Sequence, residues 1–263
     1  MIPEQAAPAA QQWAQDLAGW AIPAEILEQA PESPWIHPVE LFVVDAEVPD
    51  SPSHARARDA LPAGGTVLDV GCGGGRAAMA LADRAGRLVG VDSSSAMLER
   101  FAAAAQARGA VHEEIVGGWP DVEAQAPLAD VVVCHHVAYN VAALAPFLLA
   151  LGAHARRRVV LELPWVHPLS SMSPLWERFW NLRRPTTPTA EDALAVAREA
   201  GIPASLDVWD DVDGRAAVPP ADQARFMRIR LCLPPEREAE VAQALTELGP
   251  GGPRRTATLW WDV

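Results

Sequence analysis

The chain has 263 residues, of which 50% are hydrophobic and 21% are charged. Its 34 acidic residues outnumber 21 basic residues, all of them arginine, so the formal net charge at pH 7 is −13. Nucleic-acid binding depends on basic side chains that neutralise phosphates, so this charge argues against a nucleic-acid partner. The longest apolar stretch, Val141–Ala153, contains Pro146 and is too short to span a bilayer, so we expect no membrane association.

The cysteines and the N-terminal sequence indicate a cytoplasmic protein. Cys72, Cys134 and Cys232 form neither an even set nor a CxxC pair, which is typical of a reducing compartment and offers no zinc-binding spacing. The N-terminus lacks the positively charged and apolar regions of a signal peptide. We therefore expect a cytoplasmic location and no metal site, while the oligomeric state stays open.

The first 60 residues are predicted to form a helical flap. Three large apolar residues recur with the spacing of one helix face: Trp13, Leu17 and Trp20. A second short helix is expected after Pro23. Repeated prolines between residues 30 and 53 then favour an irregular connector, with one short strand at Leu41–Val44.

Residues 61–263 are predicted to form one α/β domain. Short β-branched runs alternate with Ala-rich helical segments, which predicts a doubly wound, mostly parallel seven-stranded sheet with helices on both faces. The predicted strands are Thr66–Val70, Leu88–Asp92, Val111–Val116, Asp130–Cys134, Val159–Leu163, Leu206–Trp209 and Thr256–Asp262. The predicted helices are Arg76–Arg84, Ser94–Arg108, Pro146–Ala155, Pro174–Leu182, Ala190–Ala200 and Glu236–Leu248.

An insertion, residues 210–255, precedes the last predicted strand. Apolar residues within Phe226–Leu233 suit both the alternation of a strand and one face of a helix. Helix is the preferred interpretation, so we expect a helical insertion.

A glycine-rich loop is the most informative part of the sequence. Residues 66–76 read Thr-Val-Leu-Asp-Val-Gly-Cys-Gly-Gly-Gly-Arg, a buried strand that turns into a helix. Glycine permits positive φ and a close approach of the backbone to a ligand, and the N–H groups of the following helix favour a polar one. A dinucleotide fingerprint requires glycine at the sixth place, which is Arg76 here, so a nicotinamide cofactor is disfavoured.

Asp69 is an acid at the end of a strand, and residues 71–75 follow it with the pattern GxGxG. Together they resemble the first motif of class I S-adenosylmethionine-dependent methyltransferases. Asp92 ends the next strand, 23 residues after Asp69, and residues 92–98 resemble the second motif of that family. The resemblance covers about residues 64–163. It implies a Rossmann-like fold, S-adenosyl-L-methionine as cofactor, and in-line displacement of its methyl group by an acceptor.

The resemblance also implies which residues hold the cofactor. The Asp92 carboxylate would accept the ribose hydroxyls, and the residues after it would lie beside adenine. Many relatives have an aspartate in this region that hydrogen-bonds the adenine amino group. This chain has Trp119 there, which either packs on adenine or is a core residue. The cofactor-binding candidates are Asp69, Gly71, Cys72, Gly73, Gly75, Asp92, Ser93, Met97, Gly118, Trp119 and Cys134.

The resemblance also implies that the segment after the fourth strand lies beside the methyl-accepting atom. Imidazole titrates near neutral pH, so His136 or His135 is a candidate general base. Tyr139 is the third catalytic candidate and would orient the acceptor together with Asn140. The alternative, in which one histidine only hydrogen-bonds neighbouring backbone, stays open.

The aromatic residues after the fifth strand favour an apolar or aromatic acceptor. The substrate-binding candidates are Asn140, Trp165, His167 and Trp176, with His37 and His54 as weaker ones. The strongly negative chain favours a small molecule over a protein or RNA acceptor. Two other functions stay open: an NAD(P)-dependent oxidoreductase, and a non-catalytic protein that binds S-adenosylmethionine.

Overall fold

The computed structural model describes residues 8–35, 50–211, 220–249 and 254–263 of the chain. The strands in these ranges are β1 (Gly65–Val70), β2 (Ala85–Asp92), β3 (His112–Val116), β4 (Ala129–His135), β5 (Ala155–Pro164), β6 (Ser205–Asp211) and β7 (Arg254–Asp262). They form one sheet in the spatial order β3-β2-β1-β4-β5-β7-β6. β7 is antiparallel to both of its neighbours, and the other adjacent pairs are parallel.

The helices of the described ranges lie between these strands and before β1. They are α1 (Ala9–Ala18), α2 (Ala24–Leu27), α3 (Pro52–Ala60), α4 (Arg76–Met79), α5 (Ser95–Ala107), α6 (Leu144–Ala153), α7 (Ser173–Trp180), α8 (Ala190–Glu199), α9 (Pro220–Arg230) and α10 (Glu238–Leu248). The predicted fold class is confirmed: a mostly parallel seven-stranded sheet with helices, preceded by a helical N-terminal region. None of the described helices is long and apolar enough to cross a bilayer.

The insertion before β7 is helical in its described part, because α9 and α10 occupy most of it. The strand alternative for Phe226–Leu233 is therefore wrong. The predicted strand Leu41–Val44 and the candidate His37 lie outside the described residues.

The helix predicted over Arg76–Arg84 is shorter in the structure. α4 ends at Met79, and hydrogen bonds of the i→i+3 type follow, from Leu81 N to Ala78 O at 2.9 Å and from Ala82 N to Met79 O at 3.3 Å. These bonds tighten the chain into turns before β2.

Alternate residues of the central strands face two different hydrophobic layers, because successive side chains of a strand point to opposite faces. On β4, Val132 and Cys134 pack with α1, α6 and α8, whereas Val131 and Val133 pack with α3, α4 and α5. A third group, here called the cap cluster, joins Ile22 and Ile26 to α7, α10 and the end of α9. Its other buried members are Met172, Leu175, Trp176, Leu231, Cys232, Leu233, Val241 and Ala244.

Helix α1 is anchored in the first of these layers by Trp13. The side chain is fully buried, its Nε1 donates to Val141 O at 2.9 Å, and its ring stacks on Tyr139 at 5.5 Å between centroids. Part of the N-terminal segment therefore belongs to the main core, while the domain boundary at residue 60 stays a prediction.

We expect Trp13→Ala to lower the free energy of unfolding by about 3–5 kcal/mol, because it leaves a large cavity and removes a buried hydrogen bond. Urea denaturation measures this quantity. Leu149→Ala, at a half-exposed position of α6, serves as the control and should cost less than about 1 kcal/mol. Equal losses in the two variants would contradict this account of how α1 is held.

Candidate active site

The glycine loop after β1 turns sharply against the chain that follows β4. Gly71 has φ 69°, and a Cβ built on it would lie 2.3 Å from Val137 Cγ2. Gly73 has φ 52° and no heavy atom within 4 Å of its built Cβ, its chain neighbours aside. Glycine is thus required by packing at residue 71, whereas at residue 73 its bare backbone borders open space.

Asp92 braces this loop from the end of β2. Its Oδ2 accepts a hydrogen bond from Gly73 N at 2.9 Å, and its Oδ1 accepts one from Ser94 N at 2.8 Å. Ser94 in turn caps α5, since its side chain accepts from Met97 N. Each carboxylate oxygen has a second lone pair, so Asp92 can hold the loop and still accept hydroxyl groups of a ligand.

Asp69 lies beneath the loop and is buried. Its Oδ2 accepts a hydrogen bond from Ala78 N at 3.1 Å, which holds the start of α4. Burial, with a smaller contribution from the charge of Asp92, raises the pKa of Asp69 to about 7, although the bond from Ala78 opposes this rise. The structure therefore gives Asp69 a supporting position under the glycine loop.

The other cofactor candidates divide by burial. Ser93 and Gly118 are exposed, and Met97 is half-buried at the start of α5. Cys72 and Cys134 are buried, and burial raises the pKa of both thiols well above the ordinary value of 9.0, which keeps them neutral.

Trp119 packs against the main core, and its ring meets His154 edge-on at 4.8 Å between centroids. This position corresponds to the alternative interpretation of Trp119 as a core residue. We therefore leave Trp119 out of the cofactor contacts proposed below.

A buried carboxylate lies beside the two histidines at the end of β4. Glu162 on β5 is in register with His135, and its Oε1 lies 3.0 Å from His136 Nε2 and 3.9 Å from His135 Nδ1. Its Oε2 accepts a hydrogen bond from Ser51 Oγ at 3.0 Å. The side chain of His136 is 22% exposed and that of Glu162 only 11%, so His136 is the more accessible member of the pair.

Electrostatic contacts keep Glu162 ionised. Burial alone would raise its pKa, but the charges of His135 and His136 and the hydrogen bond from His136 outweigh burial and hold the pKa well below 4.5. A carboxylate in contact with an imidazole stabilises the imidazolium that forms when the ring takes up a proton. The pair has the chemistry of a general base supported by a carboxylate.

The backbone at His136 is strained. Its φ of 61° lies in the left-handed region, which residues other than glycine rarely adopt, and its N donates to Glu162 O at 2.7 Å. The next residue, Val137, is the one that packs on Gly71. The segment carrying the histidines therefore touches the glycine loop, and strain of this kind clusters at functional sites.

The start of α3 covers the histidine–glutamate pair. Ser51 caps α3 by accepting from His54 N at 3.2 Å while it donates to Glu162. The His54 ring stacks on His135 at 5.4 Å between centroids. Ser53 Oγ and Thr258 Oγ1, 2.7 Å apart, extend the polar row onto β7.

The remaining candidates from the sequence lie elsewhere or are engaged in structural contacts. Tyr139 is buried, and its hydroxyl donates to Pro164 O at 2.9 Å. Burial raises its pKa well above 10.0, and its hydroxyl is bonded to backbone, so Tyr139 is left out of the catalytic residues proposed below. Asn140 is exposed. Trp165 packs under Arg255, with 4.2 Å between the guanidinium carbon and the ring centroid.

His167 and Trp176 occupy apolar surroundings. His167 is buried, stacks on Trp20 at 4.0 Å between centroids, and accepts a hydrogen bond from Leu169 N through Nδ1. Burial, aided by the charge of Arg184, lowers its pKa to about 4, so it is neutral at pH 7. Trp176 is a buried member of the cap cluster.

The sequence interpretation missed Glu162, although a signal was present. Glu162 is the one charged residue in the predicted strand Val159–Leu163, which is otherwise apolar. A charge in a strand buried on both faces requires a partner, and this requirement alone marks the position. In the described part of the chain, no group of three or more His, Cys, Asp or Glu residues is arranged to hold a metal ion.

The raised pKa of Asp69 predicts a pH effect on stability. Between about pH 4 and pH 7 the folded state keeps a proton that the unfolded state has lost, so this contribution to the free energy of unfolding falls as pH rises. Asp69→Asn removes the effect. Between those pH values, the free energy of unfolding of the variant should rise relative to that of the wild type by up to about 4 kcal/mol. Urea denaturation measures this difference. Asp83→Asn, at an exposed site, should show no such rise. If the free energy of unfolding depends on pH in the same way in Asp69→Asn and in the wild type, the expectation is refuted.

Comparison with known proteins identifies the fold and a methyltransferase domain within the chain. Residues 67–154 match the family model described as a methyltransferase domain. A search of curated proteins finds no match to the sequence. Among solved structures, YcgJ of Bacillus subtilis aligns with a TM-score of 0.51 and 16% identity, over 80% of this chain and 97% of that one.

Two further structures were solved with ligands. A methyltransferase of Thiobacillus denitrificans, in complex with S-adenosyl-L-homocysteine, aligns with a TM-score of 0.50 and 17% identity, over 86% of this chain and 98% of that one. Coclaurine N-methyltransferase, bound to N-methylheliamine and S-adenosylhomocysteine, aligns with a TM-score of 0.52 and 14% identity. The alignment covers 97% of this chain and 86% of that one.

The family match includes the glycine loop, Asp92 and the histidines after β4, the same part of the chain whose motifs predicted the family. The structural likenesses, at low sequence identity, establish the fold around these residues. Residues 67–154 of the chain therefore match a methyltransferase domain, and the structural likenesses show the fold in which that domain lies.

Proposed function

We propose that the protein transfers the methyl group to a hydroxyl oxygen of a small-molecule acceptor, with His136 as the base that takes the hydroxyl proton. The observation that carries the proposal is the 3.0 Å contact between His136 Nε2 and Glu162 Oε1, beside the glycine loop. Acceptors that carry no proton on the reacting atom need only alignment, so a built base favours an acceptor that must lose one.

The chain provides a cradle that fits the cofactor. Gly73 borders open space, and Asp92 keeps lone pairs for the two ribose hydroxyls while it braces the loop. Ser93 and Met97 follow Asp92 at the start of α5, where an adenine would lie. When bound, S-adenosylmethionine supplies the methyl group together with its leaving group, so the protein needs no acid for that group.

His136 would take the proton of the acceptor, and Glu162 would stabilise the charge that His136 then carries. With Nε2 held toward the carboxylate, the proton of the acceptor would pass to Nδ1, and Glu162 would stabilise the resulting imidazolium. Glu162 is a positioning residue in this scheme, and His135 and His54 pack around it. Tyr139 is left out because its hydroxyl donates to backbone carbonyls.

Charge and surroundings support a small acceptor. The net charge of −13 disfavours RNA and other polyanions as acceptors. Coclaurine N-methyltransferase, which shares the fold, was solved with the small molecule N-methylheliamine. The start of α3 covers the histidine–glutamate pair, which supports a division into residues 1–60 as a cap and 61–263 as the catalytic domain.

Two other features of the proposal rest on the sequence. The three cysteines are free thiols, which supports a cytoplasmic location. The alternative of an NAD(P)-dependent oxidoreductase is disfavoured by Arg76 at the sixth place of the loop. A non-catalytic binding protein would not require His136 to adopt a strained backbone beside the buried Glu162, so this alternative is also disfavoured.

Asp92→Asn is expected to weaken binding of S-adenosylhomocysteine about tenfold to hundredfold, because the amide loses the charge and turns one acceptor into a donor. Isothermal titration calorimetry measures the dissociation constant. Asp83→Asn is the control and should bind as the wild type does. An unchanged affinity in Asp92→Asn would mean that the cofactor does not contact this carboxylate.

The catalytic pair is tested with methyl-labelled S-adenosylmethionine and fractionated metabolites, the labelled product being identified by mass. With that acceptor, His136→Ala should lower kcat about 100-fold or more while cofactor affinity is kept. Glu162→Gln should lower kcat and move the rise of activity with pH to lower pH, because the imidazolium loses its stabilising charge. Glu99→Gln, on the exposed face of α5, is the control. A wild-type kcat in His136→Ala would show that His136 is not the general base.

A further inference from the structure

Ser51, the residue just before α3, joins the N-terminal region to the proposed catalytic pair. Its Oγ accepts a hydrogen bond from His54 N at 3.2 Å, which caps the helix. The same Oγ donates to Glu162 Oε2 at 3.0 Å. A hydroxyl has one hydrogen and an ionised carboxylate only accepts, so this hydrogen is committed to Glu162. The Ser51 side chain therefore has a fixed orientation between the helix and the carboxylate.

Further contacts along α3 hold Ser51 in this place. Ser53 Oγ lies 2.7 Å from Thr258 Oγ1 on β7. One helical turn later, Arg56 Nε donates to Asp207 Oδ2 on β6 at 2.9 Å. These bonds tie α3 to two strands of the sheet. The start of the helix therefore cannot leave the carboxylate without breaking them.

The two oxygens of Glu162 have different partners. Oε1 lies 3.0 Å from His136 Nε2 and 3.9 Å from His135 Nδ1. Oε2 accepts the hydrogen bond from Ser51. On β7, the residue in register with Glu162 is the uncharged Thr258. The carboxylate thus presents one oxygen to the histidines of β4 and the other to α3.

Two further titratable groups approach the histidines from the N-terminal side. The His54 ring stacks on His135 at 5.4 Å between centroids. Asp50 Oδ1 lies 3.9 Å from His54 Nδ1, and the Asp50 side chain is 71% exposed. Water screens a carboxylate that is exposed to this extent, so its charge acts on the histidines less than that of the buried Glu162 does.

We propose that Ser51 is a positioning residue for methyl transfer. Its hydroxyl holds Oε2 of Glu162 and thereby limits how strongly Oε1 attracts the proton on His136. A hydrogen bond to one carboxylate oxygen stabilises the negative charge, which weakens the attraction of the carboxylate for an imidazolium. His136 is then unprotonated, and able to accept a proton, at a lower pH than it would be without Ser51. This role rests on the proposed function, because it concerns the proton that His136 takes from the acceptor.

A competing account is that Ser51 only caps α3. Glycine separates the two accounts, because it costs a helix little at the N-cap but carries no hydroxyl. Ser51→Gly keeps the helix start and removes the donor to Glu162, whereas Ser51→Thr keeps both. Thr189→Gly is the matched control, since Thr189 is the N-cap of α8 and its hydroxyl donates to Asp192 at 2.8 Å. Ser51→Ala, which also lacks the hydroxyl, replaces Ser51→Gly if the glycine variant does not fold.

NMR titration of the histidine rings tests this role without any acceptor, with the His136 signals assigned by their loss in His136→Ala. In Ser51→Gly the pH midpoint of His136 should rise by about half a pH unit or more, because the carboxylate attracts the ring proton more strongly. Ser51→Thr and Thr189→Gly should keep the wild-type midpoint. An unchanged or lower midpoint in Ser51→Gly would overturn the proposal.

Ser53 is the second hydroxyl of α3 near this carboxylate. Burial raises the pKa of Glu162, whereas His135, His136 and, to a smaller extent, a hydrogen bond from Ser53 lower it. Ser53→Ala should therefore shift the His136 midpoint less than Ser51→Gly does. A larger shift in Ser53→Ala would overturn the assignment to Ser51.

The dependence of kcat on pH then tests the link to methyl transfer. In Ser51→Gly the rise of kcat with pH should move to higher pH, opposite to the change in Glu162→Gln, while KM for S-adenosylmethionine is kept. If the His136 midpoint rises but the kcat profile stays, Ser51 acts on His136 as described and the proposed function fails, because His136 is not the base. If the kcat profile moves without a change in the His136 midpoint, the role of Ser51 is refuted and the proposed function stands.

Discussion

The carboxylate of Asp92 joins the three parts of the chain that form the proposed cofactor site. It ends β2, holds the glycine loop through Gly73 N, and holds the start of α5 through Ser94 N. The loop itself follows β1, which lies between β2 and β4 in the sheet. Because parallel strands end at one edge, a single charged side chain there can fix the loop and remain available to a ligand.

The second half of the proposed site, around the two histidines, depends on the buried carboxylate of Glu162. A carboxylate in a buried strand is unfavourable unless hydrogen bonds and opposite charges surround it. Glu162 has both, from Ser51, His135 and His136. These partners come from the start of α3 and the end of β4, so the carboxylate also fixes how the N-terminal region meets the sheet. The contact between Val137 and Gly71 then sets the distance between the two halves.

The arginines of this acidic chain are held by different kinds of partner. Arg158 and Arg228 are each paired with two carboxylates, and their charges serve packing. Arg184 is instead held by carbonyl groups and aromatic faces, which fix its position without neutralising it. Local pairing therefore decides which arginine charges are neutralised within the fold, whatever the net charge of the chain.

Sequence patterns by themselves determined the seven strands of the sheet, most helices of the sheet domain, the glycine loop and the place of Asp92. Hydrophobic periodicity and glycine positions are local, and the neighbours in sequence that create them are enough to recognise them. Only the tertiary structure revealed the contacts of Glu162, Tyr139, Trp119 and Arg184, from which their roles are inferred. Each of these roles depends on a partner far away in the chain, such as Ser51 for Glu162 and Trp20 for Arg184. Burial and pairing are properties of the assembled fold, so a residue type alone cannot show whether its polar group faces a ligand or a carbonyl.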